Sequence, residues 1–354
     1  MSAVAVPDAG AGLTLSRARL RPHWWLAGLG ALAGAFVLGI MVGPVALAPG
    51  AVLRALLDLI PGVHLASGLS PTESAILMQI RLPRVVLGGL VGAMLSISGA
   101  AYQGAFRNPL ADPYLLGAAA GAGLGATLAI AYGGASQSLI PVAAFAGALA
   151  AVAVAYAVGR SSAGRNATTL ILAGVAIASF LTAIQTFVQQ RESDTLRQVY
   201  TWILGRLSTA GWSDVLLVLP YVVVSSAAIL LHRRLLDVLS VGDEEAESLG
   251  VSARRVRLAV VMAASLGTAA AVAVSGLIGF VGIIVPHTVR LLAGMSYRSI
   301  LPLSLAGGAA FMILADLLGR TVVAPAEIPI GVVTAFFGAP FFALALRTSR
   351  RMLS

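Results

Sequence analysis

The chain of 354 residues has no cysteine and no lysine, and all 23 of its basic residues are arginine. The absence of cysteine excludes disulfides, thiolate nucleophiles and Cys-ligated metals. The absence of lysine excludes the phosphate-gripping lysine of a Walker A loop and any Schiff-base amine, so the chain is not itself a P-loop ATPase. Histidine is scarce too. His23, His64, His232 and His287 are far apart and form no HExxH-like pair, so no metal site is expected. Carboxylates are nearly missing from the apolar stretches. Only Asp316 lies within one, a turn from Arg320, whereas an ion-coupled carrier places ionisable groups near the bilayer midplane. Asp316 is expected to pair with Arg320 or Arg84. An intramembrane enzyme would need a nucleophile and base or a metal, and His287 beside Arg290 supplies neither.

What the chain has is apolar length. Hydrophobic residues make up 58% and charged residues 10%, against about 25% in an ordinary soluble domain. Uncharged runs cover Trp24–Leu53, Val85–Phe106, Pro113–Gly159, Asn166–Gln190, Val215–Leu231, Leu258–Val289, Ser299–Ala315 and Ile328–Leu346. A spanning helix needs about 20 such residues. Pro113–Gly159 holds two spans broken near Tyr132-Gly133-Gly134, and Leu258–Val289 holds one span and much of another, hinged at Gly276 to Gly282. The expected fold is an all-α polytopic membrane protein of about ten transmembrane helices. Its expected parts are a tail at 1–23, one ten-span domain at 24–347 and a tail at 348–354.

With both termini cytoplasmic, the outer side receives Arg54, Arg81, Arg84, Arg191, Arg197, Arg206 and Arg320 and the inner side the other sixteen, a positive-inside bias. The net charge of +9 is then topology and calls for no nucleic acid. The stretch SGLIGFVGIIVPHTVRLLAG, Ser275 to Gly294, fits this scheme. Pro286 and His287 break or end the eighth span, His287 bonds a backbone carbonyl, and Arg290 reaches the cytoplasmic surface.

The longest charged inner segment is SVGDEEAESLGVSARRVR, Ser240 to Arg257. Gly242-Asp243 can open a short helix with acids at its positive end, and Leu249-Gly250 can close it. Ala246 and Leu249 are three apart and share a face. In a transporter with no power source of its own, such a helix is expected to dock a cytoplasmic partner.

At this point the residues resemble a known family. RLPRVVLGGLVGAMLSISGAAYQGAFRNPLADPYLLG (Arg81–Gly117), LILAGVAI (Leu170–Ile177), GDEEAESLGV, the Ser275–Gly294 stretch and AEIPIGVVTAFFGAPFF (Ala326–Phe342) are similar, in order, to the FecCD-type permeases of bacterial ABC importers. That group includes vitamin B12, haem and ferric-siderophore permeases. The resemblance implies a homodimer in the bacterial inner membrane and two cytoplasmic ATP-binding subunits carrying ATP and Mg. It also implies a periplasmic or lipid-anchored substrate-binding protein, and no cofactor on this chain. Segment 241–255, between spans six and seven, corresponds to the coupling helix, with Gly242, Asp243, Glu244, Glu245, Ala246, Glu247, Leu249 and Gly250 as its contacts. Asn108 and Leu110, with Ala167 and Thr168 at the start of the fifth span, correspond to the cytoplasmic gate. Arg81, Arg84 and Arg320 correspond to the outer docking arginines, with Pro83 in the first turn of the second span. The cargo implied is a bulky metal chelate, a ferric siderophore ahead of haem or cobalamin, passing a small-residue, apolar wall. An ion-coupled secondary transporter is the competing class.

Overall fold

The computed structural model describes residues 22–134, 138–161 and 167–351, and among these there is no strand. Residues 1–21, most of the expected first tail, and 352–354, the end of the second, lie outside the described residues. Among the described residues seven helices are long and apolar enough to cross a membrane, namely α1 (Pro22–Met41), the continuous run Pro71–Phe106, α6 (Leu139–Ser161), α7 (Ala167–Arg191), α9 (Trp212–Leu231), α12 (Ala253–Ser275) and α14 (Tyr297–Thr321). Three shorter apolar stretches, α5 (Ala118–Tyr132), α13 (Val281–Ala293) and Ile330–Leu344 within α15 (Ile330–Arg351), bring the number to the expected ten. Short helices cap the two ends. At one lie α2 (Pro49–Leu57), α3 (Pro71–Ala75) and α8 (Leu196–Ile203); at the other lie α10 (Arg233–Leu239) and α11 (Asp243–Ser248).

The second span, α4 (Leu82–Phe106), is the axis of the bundle and packs against α9, α12, α13 and α14. Glycine permits the contact. A Cβ on Gly99 would land on the Gly282 carbonyl of α13, and one on Gly92 on the Gly308 carbonyl of α14. Bilayer helices gain little from burying apolar surface against one another, so such close backbone approach is what holds them. Pro83 lies in the first turn of α4, as expected. The helical path itself runs on from Pro71 through a π-turn over Ile76–Arg81, in which the Leu82 amide donates to the Leu77 carbonyl just before the proline.

The hinge at Gly276 to Gly282 is present, as α12 ends at Ser275 and α13 starts at Val281. Irregular backbone at membrane depth must find polar partners within the protein. The Tyr114 hydroxyl donates to the Ile278 carbonyl (3.0 Å), and the Arg206 amide donates to the Ser275 carbonyl (2.9 Å). Pro286 does not end the span, contrary to expectation. A proline at 286 frees the carbonyl four residues back, at Gly282, and the Gln103 amide of α4 donates to it at 3.1 Å, so α13 runs on to Ala293. Arg290 turns inward to the Gln103 Oε1 at 2.9 Å. His287 meets Phe341 of α15 edge-on at 5.6 Å in place of the expected carbonyl.

Candidate functional site

Two polar assemblies sit at opposite ends of the bundle. At the α11 end, Gly242 has φ 141°, a conformation open to glycine, and the Glu245 carboxylate folds back into the space a side chain would need. Gly250 (φ 77°) ends the helix. The helix spans Asp243–Ser248, with Leu249 as its cap. Ala246 and Leu249 do not share an outward face: Ala246 is fully buried against the chain and Leu249 is 67% exposed. A helix of one and a half turns capped by glycine turns its last residue away from the seat that Ala246 occupies. Glu244, Glu245 and Glu247 are exposed with Leu249. Asp243 faces inward and accepts from Arg257 Nη2 at 3.0 Å, with Arg107 Nη2 at 3.6 Å. Asp237 of α10 accepts from the Tyr297 amide (2.6 Å) and the Ser296 hydroxyl (2.9 Å), which joins this segment to the start of α14.

Beside α11 the loop after α4 carries two of the expected gate residues. Arg107 is left-handed (φ 50°), and the Asn108 Oδ1 accepts the Leu110 amide at 2.9 Å. Asp112 caps the turn Pro113–Leu116, where burial pushes its carboxyl up to about 6 against the pull of the Tyr114 amide. Ala167 opens α7, and exposed Thr168 lines a cleft of about 800 Å³ with Phe106, Arg107, Arg257 and residues 241–245. Thr168 is thus brought to the α11 segment, while Asn108 and Leu110 are not among the lining residues of the cleft.

At the other end Arg81, Arg84 and Arg320 are not a surface cluster. Their exposures are 3%, 8% and 3%, and each guanidinium is engaged within the chain. Arg81 donates to the Ile40 (3.1 Å) and Met41 (3.3 Å) carbonyls at the end of α1 and to Val45; Arg320 donates to Gly39. Arg84 forks onto Asp316 (2.8 Å) and Glu327 (2.8 Å). Buried and bonded within the chain, they do not form the exposed outer cluster expected of them. The last carbonyls of α1 have no helical donors, and guanidinium groups inside an apolar bundle satisfy them at less cost than water could. Asp316 pairs with both of its expected partners, Arg320 Nε lying 3.6 Å away.

The FecCD transport family model matches residues 31–348. The chain belongs to this family. Among FecCD relatives, an uncharacterised ABC transporter permease of Bacillus subtilis is 42% identical over 344 residues, 95% of this chain and 97% of the relative. The cobalamin import permease of Halobacterium salinarum is 44% identical over 280 residues (79% and 75%), and the hemin transport permease of Yersinia pestis 40% over 283 residues (78% and 84%). The fold is similar to an inward-facing metal-chelate type ABC transporter, with a TM-score of 0.80 and 30% identity, over 93% of this chain and all of that one. This FecCD chain is a multi-pass membrane protein and a permease of the metal-chelate ABC importer type.

Reading from sequence missed Arg257, Arg107, Asp237 and Gln103 as structural joints. Gln103 had a signal, being the lone amide side chain within the uncharged run Val85–Phe106. It also missed α8, whose Val199 and Trp202 turn inward at a spacing of three.

Proposed function

We propose that the chain is the membrane subunit of an ATP-driven importer in the bacterial plasma membrane, working as a homodimer. Two ATP-binding subunits dock on α11, and a binding protein delivers the cargo at the α2 and α8 end. One observation carries the reading: α11 is fixed to the body by Asp243 and Ala246 yet leaves Glu244, Glu247 and Leu249 exposed on its outer face, with Glu245 folded back on Gly242. A short acidic helix with one apolar knob suits a partner groove lined by arginine or lysine. Asn108, Leu110, Ala167 and Thr168 remain the proposed gate beside it. ATP hydrolysis, with its Mg, belongs to the partners, and this chain holds no cofactor.

The cargo proposed is a ferric siderophore. Cobalamin is the second reading, favoured by the 44% identity to the Halobacterium permease; haem follows. The experiment is uptake into proteoliposomes holding the chain, its ATPase subunits and its binding protein, with iron-labelled ferric hydroxamate, haem and cyanocobalamin offered separately. ATP-dependent uptake of the hydroxamate is expected. Uptake of cobalamin or haem alone replaces the cargo, and uptake driven by an ion gradient without ATP replaces the transporter class.

A further inference from the structure

We propose that Arg257 is a positioning residue that transmits movement of α11 to the loop ending α4, so that one guanidinium joins the partner-facing helix to Asn108 and Leu110. The proposal rests on the reading of α11 as the ATPase contact. Three observations converge on it. First, α4 ends with an unmatched acceptor. The carbonyl of Ala105 would take its helical hydrogen bond from residue 109, which is Pro109 and has no amide hydrogen. Arg257 Nε supplies the missing donor at 2.7 Å. Second, the same guanidinium holds α11, because its Nη2 lies 3.0 Å from both oxygens of Asp243. The Arg257 side chain is largely buried, so its bond to the Ala105 carbonyl is sheltered, while the Asp243 carboxylate it holds is partly open to solvent. Third, Asp243 also draws Arg107, the left-handed residue that turns the chain out of α4 into the Asn108–Leu110 turn. Ala105, Arg107 and α11 are therefore held by one two-sided joint.

The planar fork of arginine sets the directions of its two contacts, and a lysine ammonium in the same place could not hold both. Asp237 offers a contrast within the same segment. It anchors α10 to Ser296, Tyr297 and Arg298 and, among the described residues, makes no hydrogen bond or ion pair to the α4 loop, so its loss should weaken the protein without breaking transmission.

The test uses the complex of the full chain with its ATPase subunits in proteoliposomes. Leu110→Cys, in a chain with no other cysteine, carries a bimane fluorophore, and its ATP-dependent emission shift is read beside the rate of ATP hydrolysis. The expected result is hydrolysis at the unsubstituted rate with loss of the shift in Arg257→Met and Arg257→Lys, and retention of the shift in Asp237→Asn. A full shift in Arg257→Met overturns the proposal. So does parallel loss of hydrolysis and shift, or failure of both Arg257 variants to assemble, because the pair is then only structural. No shift in the labelled chain with Arg257 intact, despite hydrolysis, overturns it as well. Failure of that chain to bind the ATPase subunits at all instead brings down the reading of α11 beneath it.

Discussion

The two ends of this bundle use one cation in opposite ways. At the α2 and α8 end, three arginines are drawn between spans, where each guanidinium bonds carbonyl ends or pairs with one or both of two carboxylates. At the α11 end, the glutamates of α11 stand in solvent, while Asp243, Asp237 and Asp112 are engaged within the chain as ties and a cap. The scarcity of arginine on the outer side therefore says nothing about docking. A guanidinium beside an unsatisfied helix terminus inside an apolar bundle is structural, and an acidic side chain on a short, seated helix is available to a partner.

The comparison can be broken most forcefully at the buried end. Asp316→Ala leaves Arg84 and Arg320 without their shared carboxylate, and removing one partner of a buried pair costs about 3–5 kcal/mol. Thermal unfolding in detergent should show this loss; a melting temperature equal to that of the unsubstituted chain would mean the cluster is not structural. At the exposed end, Leu249→Arg should leave unfolding unchanged and weaken ATPase association by about 1–3 kcal/mol, roughly five- to 150-fold in affinity. Normal co-purification and transport by that variant would refute the docking assignment. Gly242→Ala places a side chain where φ is 141° and should destabilise the segment by about 1–2 kcal/mol. Faster proteolysis after residue 242 would report it, and an unaltered digestion pattern would contradict the local strain. Arg54→Ala, exposed and bonded only to the Gly50 carbonyl four residues back, should change stability by less than about 0.5 kcal/mol. A larger loss there would blur the line between the two ends.

Much of the architecture was legible in the sequence because the bilayer imposes length and excludes charge. The ten spans, the break at Tyr132 and the hinge before Val281 follow from where apolar runs begin and where glycine interrupts them. The glycines bounding α11 were legible for a similar reason, since Gly242 and Gly250 have backbone conformations that other residues rarely adopt. The fate of the arginines was not legible. Whether Arg84 meets Asp316 and Glu327 depends on residues 232 and 243 positions away being folded beside it. The same holds for Pro286, whose effect is cancelled by Gln103 from another span. The outward turn of Leu249 was hidden because spacing of three implies a shared face only in a helix long enough to have one.

The most direct test of the central claim uses the absence of cysteine. Leu249→Cys is labelled with a membrane-impermeant maleimide in inside-out vesicles, with and without bound ATPase subunits. The account predicts rapid labelling in the bare chain and protection when the subunits are present. Labelling from the opposite side of the membrane, or labelling that the bound ATPase does not slow, would contradict it.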